Sequence, residues 1–317
     1  MRIWVTIAMV LLIAPAAPGQ DDDFIERQYF LYSASTDHFI NTVDSAVGSA
    51  RARLYVILDD TLDYKPKIYI KDNIEDFREL IGTAFPDWGA AVAMPYRRTI
   101  ALKSPAHFRL GKSLYELVKH EYAHLALQDR LHHARAPRWL DEGVAMYVAA
   151  EWGWGNNLTM SRAVVFNSLV HLENIEKMNL FSEGKAQIAY AESYLAVKYL
   201  LDEYGVETLN ILLDKLKEGK PTDIALDESL GGTLDEFQEE FFESIKKRYN
   251  IMSLFGDLYF LWIFLALVIV VGFIMKGRKK RRYYKKWEEE EKYQSTDFDY
   301  GDPDNPEEYD DEDKPWA

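Results

Sequence analysis

Residues 258–275 read LYFLWIFLALVIVVGFIM, eighteen positions without a single charge. A helix that packs against a core on one side keeps a polar stripe on the other, and this stretch has none. It is long enough to cross a bilayer and too uniformly apolar for an amphipathic core helix. The segment therefore divides the 317-residue chain into a large body and a short tail. The tail opens with KGRKKRRYYKK, eight basic residues and no acidic one over 276–286. Positive charge collects on the cytoplasmic side, which places the tail inside and residues 20–257 outside. The N-terminus, MRIWVTIAMVLLIAPAAPGQ, points the same way. Arg2 precedes a short apolar run followed by small residues and prolines, the layout of a secretory signal over 1–19. The expectation is a single-pass protein of the cell membrane, with its body periplasmic or on the cell surface.

Charge sharpens this division. Residues 287–317 hold fourteen acids against two lysines and almost no aliphatic side chains, so this part of the tail is expected to be disordered. The net charge of −15 is thus no property of one surface, and residues 1–275 alone carry −11. An acidic body argues against nucleic acid as a partner. Membrane lipid is the expected partner of the basic run, and a cytoplasmic partner for the acidic tail stays open. The chain has no cysteine, which excludes disulfides, thiolate metal sites and cysteine nucleophiles. Any metal must be held by His, Asp or Glu.

Within the body the texture changes once. RQYFLYSAS (27–35) and PKIYIKD (66–72) read as strands, and a helix from Thr36 or Asp37 to Leu58 lies between them. NIEDFRELIG reads as a short helix closed by Gly82. WGAAVAM (88–94) and TIALK (99–103) read as a strand pair. From Ser113 onward the pattern is helical, opened by the capping box Ser113-Leu114-Tyr115-Glu116. Helices are expected to Arg130, from Arg138 to about Trp152, and over about 160–173, 186–204, 206–217 and 233–250, with WGWGNN as a loop. The predicted class is α+β: a small α/β layer over 20–112, a mainly helical part over 113–256, one transmembrane helix over 257–275 and a tail over 276–317.

The first of these helices carries KHEYAH (119–124). Residues four apart lie about 40° apart around a helix, so His120 and His124 can converge on one ion, and neutral imidazole suits Zn²⁺. Glu121 lies about 60° from His124 on the wheel, within reach of a water at the metal and badly placed as a ligand. A catalytic zinc needs a third protein ligand. PRWLDEG (137–143) opens the next helix, and Glu142, one turn inside, is the candidate; Asp141 would face elsewhere and support a histidine. His132 and His133 are rivals that read as solvated loop residues. His38, His107 and His171 have no partner at ligand spacing. Taken alone, Glu142 also reads as an acid favoured near a helix N-terminus.

HEYAH followed by WLDEG resembles the gluzincin metallopeptidases, specifically the peptidase MA-like proteins. The resemblance spans roughly 25–250 and rests mainly on these two motifs, with weaker support from AYAESYLAVKYLLDEYG (189–205). It implies a zincin-like helical subdomain with zinc held by His120, His124 and Glu142 and with Glu121 as general base. It also implies a peptide or protein substrate lying along an edge strand, for which 89–94 is the candidate. A later tyrosine would donate to the oxyanion; Tyr190 matches that place, with Tyr194 as rival. Two departures matter. Seventeen residues separate His124 from Glu142, one fewer than in the aminopeptidase pattern, and AVAMPY replaces the strand that grips a free amino group there. Endopeptidase activity is therefore expected over aminopeptidase activity. The alternative is a non-catalytic zinc- or peptide-binding relative acting through its cytoplasmic tail.

Overall fold

The computed structural model describes residues 23–59, 61–82, 89–250 and 259–293. The signal over 1–19 and the acidic stretch beyond Tyr293 lie outside them. The chain forms two compact units, Met1–Asp257 and Leu258–Ala317.

The first unit opens with β1 (Ile25–Glu26), β2 (Leu31–Ala34), α1 (Ile40–Leu58), β3 (Lys67–Lys71), α2 (Ile74–Ile81), β4 (Ala91–Met94) and β5 (Thr99–Lys103). The strands form one mixed sheet in the order β1-β2-β3-β5-β4. β2, β3 and β5 run parallel, while β1 and β4 are antiparallel edges. Alternation along the strands decides which face meets which helix. Ile68, Ile70, Ile100 and Leu102 point into the main core with Val47, Leu54 and Leu58 of α1. Val92, Met94 and Ala101 point the other way, into a small cluster closed by Phe77 and Ile81 of α2. α2 starts where the Asn73 side chain accepts from the Asp76 N–H, the helix start its sequence predicts.

The helical part follows: α3 (Leu114–Arg130), α4 (Arg138–Ala149), α5 (Trp154–Val165), a 3₁₀ stretch (Leu172–Leu180), α6 (Glu183–Tyr199), a π-helical turn (Leu200–Tyr204), α7 (Gly205–Lys217), α8 (Thr222–Leu230) and α9 (Leu234–Arg248). α3 packs against α1, α4, β4 and β5 and is buried over most of its length. Its polar residues are therefore inside the protein, which is the fact the site depends on.

Three local expectations differ. The helix expected over about 160–173 stops at Val165, where the Phe166 and Ser168 N–H groups close the end on the Arg162 and Ala163 carbonyls, and a 3₁₀ stretch begins only at Leu172. WGWGNN is not a loop: α5 begins at Trp154, with Gly153 extended and its carbonyl accepting from the Asn156 and Asn157 N–H groups. Asn157 also accepts from the Trp152 indole at 3.1 Å, a tertiary contact that outweighs weak helix propensity. α8, absent from the sequence reading, buries only Ala225 and Leu226 and stops at left-handed Gly231. So short an apolar face gives little periodic signal.

Among its described residues the second unit is one helix, α10 (Tyr259–Tyr293). Over 261–292 it is long and apolar enough to cross a membrane, with a mean hydropathy of 2.0 in its most apolar window. It runs through the basic run and the first four glutamates of the tail, further than the expected end near 275. Lys and Glu are good helix formers, and Lys286 lies 3.8 Å from Glu290 one turn on.

Candidate active site

The site begins at the N-terminus of α3. Ser113 accepts from the Glu116 N–H while Glu116 accepts from the Ser113 N–H, so the capping box is complete. From this fixed start, His120 and His124 fall one turn apart on the face turned toward α4. Their rings approach at 4.9 Å between centroids, at 74°. α4 is buried on nearly every side, so Glu142 is shut inside although Leu140, two residues before it, points to another face.

Glu142 Oε2 lies 3.6 Å from His120 Nε2 and 3.8 Å from His124 Nε2. One ligand atom from each of the three residues falls within 4.8 Å of the others, and all three are buried. The His120 Nε2, His124 Nε2 and Glu142 Oε2 atoms have no hydrogen-bond partner, although each is shut away from water. Buried polar atoms are paired in nearly all proteins, so three unpaired ones aimed at one point fit a cation. The charge balance fits as well. Among the described residues Asp141, Glu121, Glu142 and Glu151 surround the histidines against Lys112, Lys119 and Arg138, so acids outnumber bases when the imidazoles are neutral.

Each candidate ligand has its own support. His124 Nδ1 lies 2.8 Å from Asp141 Oδ1, the role its position before Glu142 suggests. His120 Nδ1 lies 3.1 Å from Glu151 Oε1, and Glu151 is in turn paired with Lys112. Glu142 Oε1 is met by Arg138 Nη2 at 3.2 Å. Sequence reasoning missed Glu151, Lys112 and Arg138. An acid just past the end of α4 and a base one turn before α3 were the available signals. What joins them is the turn at Ala150, whose left-handed backbone (φ 60°) brings Glu151 back under α3.

The electrostatics follow from burial. Removal from water would depress the His120 imidazole, but Glu151 and Glu142 outweigh it and hold it up at about 10. His124 is raised against the same burial by Asp141 and Glu142. Burial would raise the Glu151 carboxyl, yet His120 and Lys112 pull it down to about 2. The Glu121 carboxyl is raised, burial winning over the opposing histidines and the Ala93 backbone amide. Glu121 is fully buried and neither of its oxygens has a partner.

The remaining expected residues divide cleanly. Tyr190 on α6 brings its buried hydroxyl into the field of Glu142, Arg138 and Glu121. Tyr194 instead stacks on Trp152 at 4.6 Å, outside the cluster. Candidate strand 89–94 contains β4, an edge of the sheet, and its Ala93 amide faces Glu121. His133 stacks on Tyr96 at 5.0 Å in a surface loop. His107 lies 3.8 Å from Asp72, and His171 meets Gln238 at 2.8 Å. None of these three joins the cluster.

A buried His-His-Glu cluster stands on two adjoining helices beside a small mixed sheet, and its three facing ligand atoms could hold a metal ion. A family model describing the Peptidase MA superfamily matches residues 50–247, and the chain belongs to that superfamily. Membership makes it a metallopeptidase by family and implies peptide or protein substrates. Among curated proteins, none matches this chain.

Proposed function

We propose that this chain is a membrane-anchored zinc endopeptidase of the gluzincin type, with its body outside the cytoplasm. The observation that carries this reading is the convergence of Glu142 Oε2 with both Nε2 atoms, beside a Glu121 carboxylate that has no other partner. His120, His124 and Glu142 would hold the metal, and a zinc ion there would supply Lewis acidity toward the scissile carbonyl and a bound water acidic enough to ionise near neutral pH.

The chain's own residues do the rest. Glu121, raised by burial, takes a proton from the attacking water and returns it to the leaving amine. Tyr190 donates a hydrogen bond from its hydroxyl to the charge that develops on the carbonyl oxygen, keeping its own proton. The outer edge of β4, paired on one side only by β5, holds the substrate backbone as an added strand. AVAMPY stands where the aminopeptidases carry the strand that grips a free amino group, which favours internal cleavage.

The anchor is α10, with the basic run over 276–286 on the cytoplasmic side and against lipid headgroups. The domain plan is a signal over 1–19, a peptidase body in two parts over 20–112 and 113–256, a membrane helix from 257 and a cytoplasmic tail.

The test is zinc quantification on the full-length protein in detergent, together with cleavage of a peptide library. Glu121→Gln is expected to keep stoichiometric zinc and to abolish turnover. Turnover that survives this change, or a wild type without zinc, overturns the reading.

A further inference from the structure

Glu142 has two oxygens, and the structure treats them differently. Oε2 faces His120 Nε2 and His124 Nε2 at 3.6 and 3.8 Å, while Oε1 accepts from Arg138 Nη2 at 3.2 Å. Arg138 stands one turn before Glu142 on α4, on the same helix face. Its side chain is 16% exposed and that of Glu142 1%, so the pair is only weakly screened by water.

The start of α4 is itself tied down. The Arg138 N–H donates to Glu176 Oε1 at 2.6 Å, and Arg135 pairs with the other oxygen of the same carboxylate. Pro137 precedes it with an extended backbone. The Arg138 side chain therefore leaves a fixed point and reaches one oxygen of Glu142, with the Tyr190 phenol beside it. An arginine keeps its charge in every protein setting and presents a rigid fork, which makes it suited to holding a carboxylate in one orientation.

We propose that Arg138 is the positioning residue that reserves Glu142 Oε1, so that Glu142 offers a metal one oxygen and not two. This rests on the reading of His120, His124 and Glu142 as ligands. The reason to separate the oxygens is chemical. A catalytic zinc keeps an open position for the reacting groups, and a carboxylate that binds through both oxygens fills it. Arg138 thus keeps room in the site without touching the reacting atoms itself.

Cobalt(II) is the probe, because its visible absorption is strong with four ligands and much weaker with five or six. Full-length protein in detergent is loaded with Co²⁺, and its spectrum and its affinity, by chelator competition, are compared with those of Arg138→Met. The wild type is expected to absorb strongly. Arg138→Met should absorb severalfold less and hold Co²⁺ at least as tightly as the wild type, because a second Glu142 oxygen joins the metal and a neighbouring positive charge is gone. Arg138→Lys, which restores the charge without the fork, should fall between the two. Unfolding of the metal-free proteins shows which variants fold. If Arg138→Met does not, Arg138→Lys carries the test, and a spectrum equal to that of the wild type overturns the proposal. An Arg138→Met spectrum equal to wild type, or Co²⁺ held more weakly than in the wild type, overturns it as well. A wild type that takes up no Co²⁺ overturns the ligand reading beneath it.

Discussion

His124 Nδ1 and Asp141 Oδ1 stand 2.8 Å apart across the junction of α3 and α4. Asp141 is the residue immediately before Glu142, so one helix turn supplies both a candidate ligand and the support for another. The contact requires Nδ1 to carry the proton when Asp141 is ionised, which leaves Nε2 free to face Glu142. Asp141→Ala is expected to weaken zinc binding about 10–100-fold. Chelator competition measures this, and unchanged affinity would show that the contact orients nothing.

Glu151 stands 3.1 Å from His120 Nδ1 as a charge partner, without the hydrogen bond that joins Asp141 to His124. Its carboxylate is buried and faces both His120 and Lys112. Glu151→Ala leaves the Lys112 charge, a quarter exposed, without its partner. Removing one member of a buried pair costs about 3–5 kcal/mol, and the partial exposure of Lys112 puts this site at the lower end. The metal-free Glu151→Ala protein should unfold at a clearly lower temperature. A melting curve superposable on that of the wild type would refute this.

Gly143 shows why the residue after Glu142 has no side chain. A Cβ there would stand 2.3 Å from the Ser193 carbonyl oxygen and 2.5 Å from Val197 Cγ2, so α4 and α6 could not approach as they do. Alanine is the better helix former by about 1 kcal/mol. Overpacking against a backbone atom costs about 1–3 kcal/mol and wins. Gly143→Ala should lower stability, and it should impair hydrolysis more than stability alone explains, because the displaced helices carry Glu142 and Tyr190. Full activity in a folded Gly143→Ala protein would contradict this.

Glu192 predicts a pH dependence away from the histidines. It is wholly buried and accepts the Val170 N–H at 2.9 and 3.1 Å. Burial drives its carboxyl well above the ordinary range, against the pull of that N–H and of Lys185. The folded chain therefore holds a proton that the unfolded chain releases near the ordinary value of 4.5. Where the folded state binds more protons, stability falls as pH rises, so the loss begins at that value and continues up to the raised one. Glu192→Gln keeps an acceptor and removes the titration. Its melting temperature, followed from pH 4.5 to 7.5, should fall less steeply than that of the wild type, and parallel profiles would rule this out.

What could be read from the sequence was what is local. The Ser113–Glu116 box, the four-residue spacing of His120 and His124 and the adjacency of Asp141 to Glu142 are all set by helix geometry within a few residues. β3 was equally legible from its alternation and β5 from its short apolar run, the pattern of a strand covered on both faces. Arg138, Lys112 and Glu151 were not, since their roles depend on how α4 ends and on what α3 begins beside. A left-handed Ala150 leaves no mark in composition, and a lysine at 112 looks like any solvated charge. The first turn of α5 was hidden for a related reason, since Asn157 is held by Trp152 and Tyr249, partners that periodicity does not see.

The length of α10 carries a mechanical consequence. Thirty-five helical residues make a rod about 52 Å long, while the hydrocarbon of a bilayer is about 30 Å thick. Where such a rod crosses a membrane, roughly 20 Å of it stands clear with no joint at the lipid boundary. Tilt or rotation of the buried part is then delivered undamped to Lys286 and Glu290 at the far end. In that sense the basic run is the handle of a lever, and not the start of a slack tether.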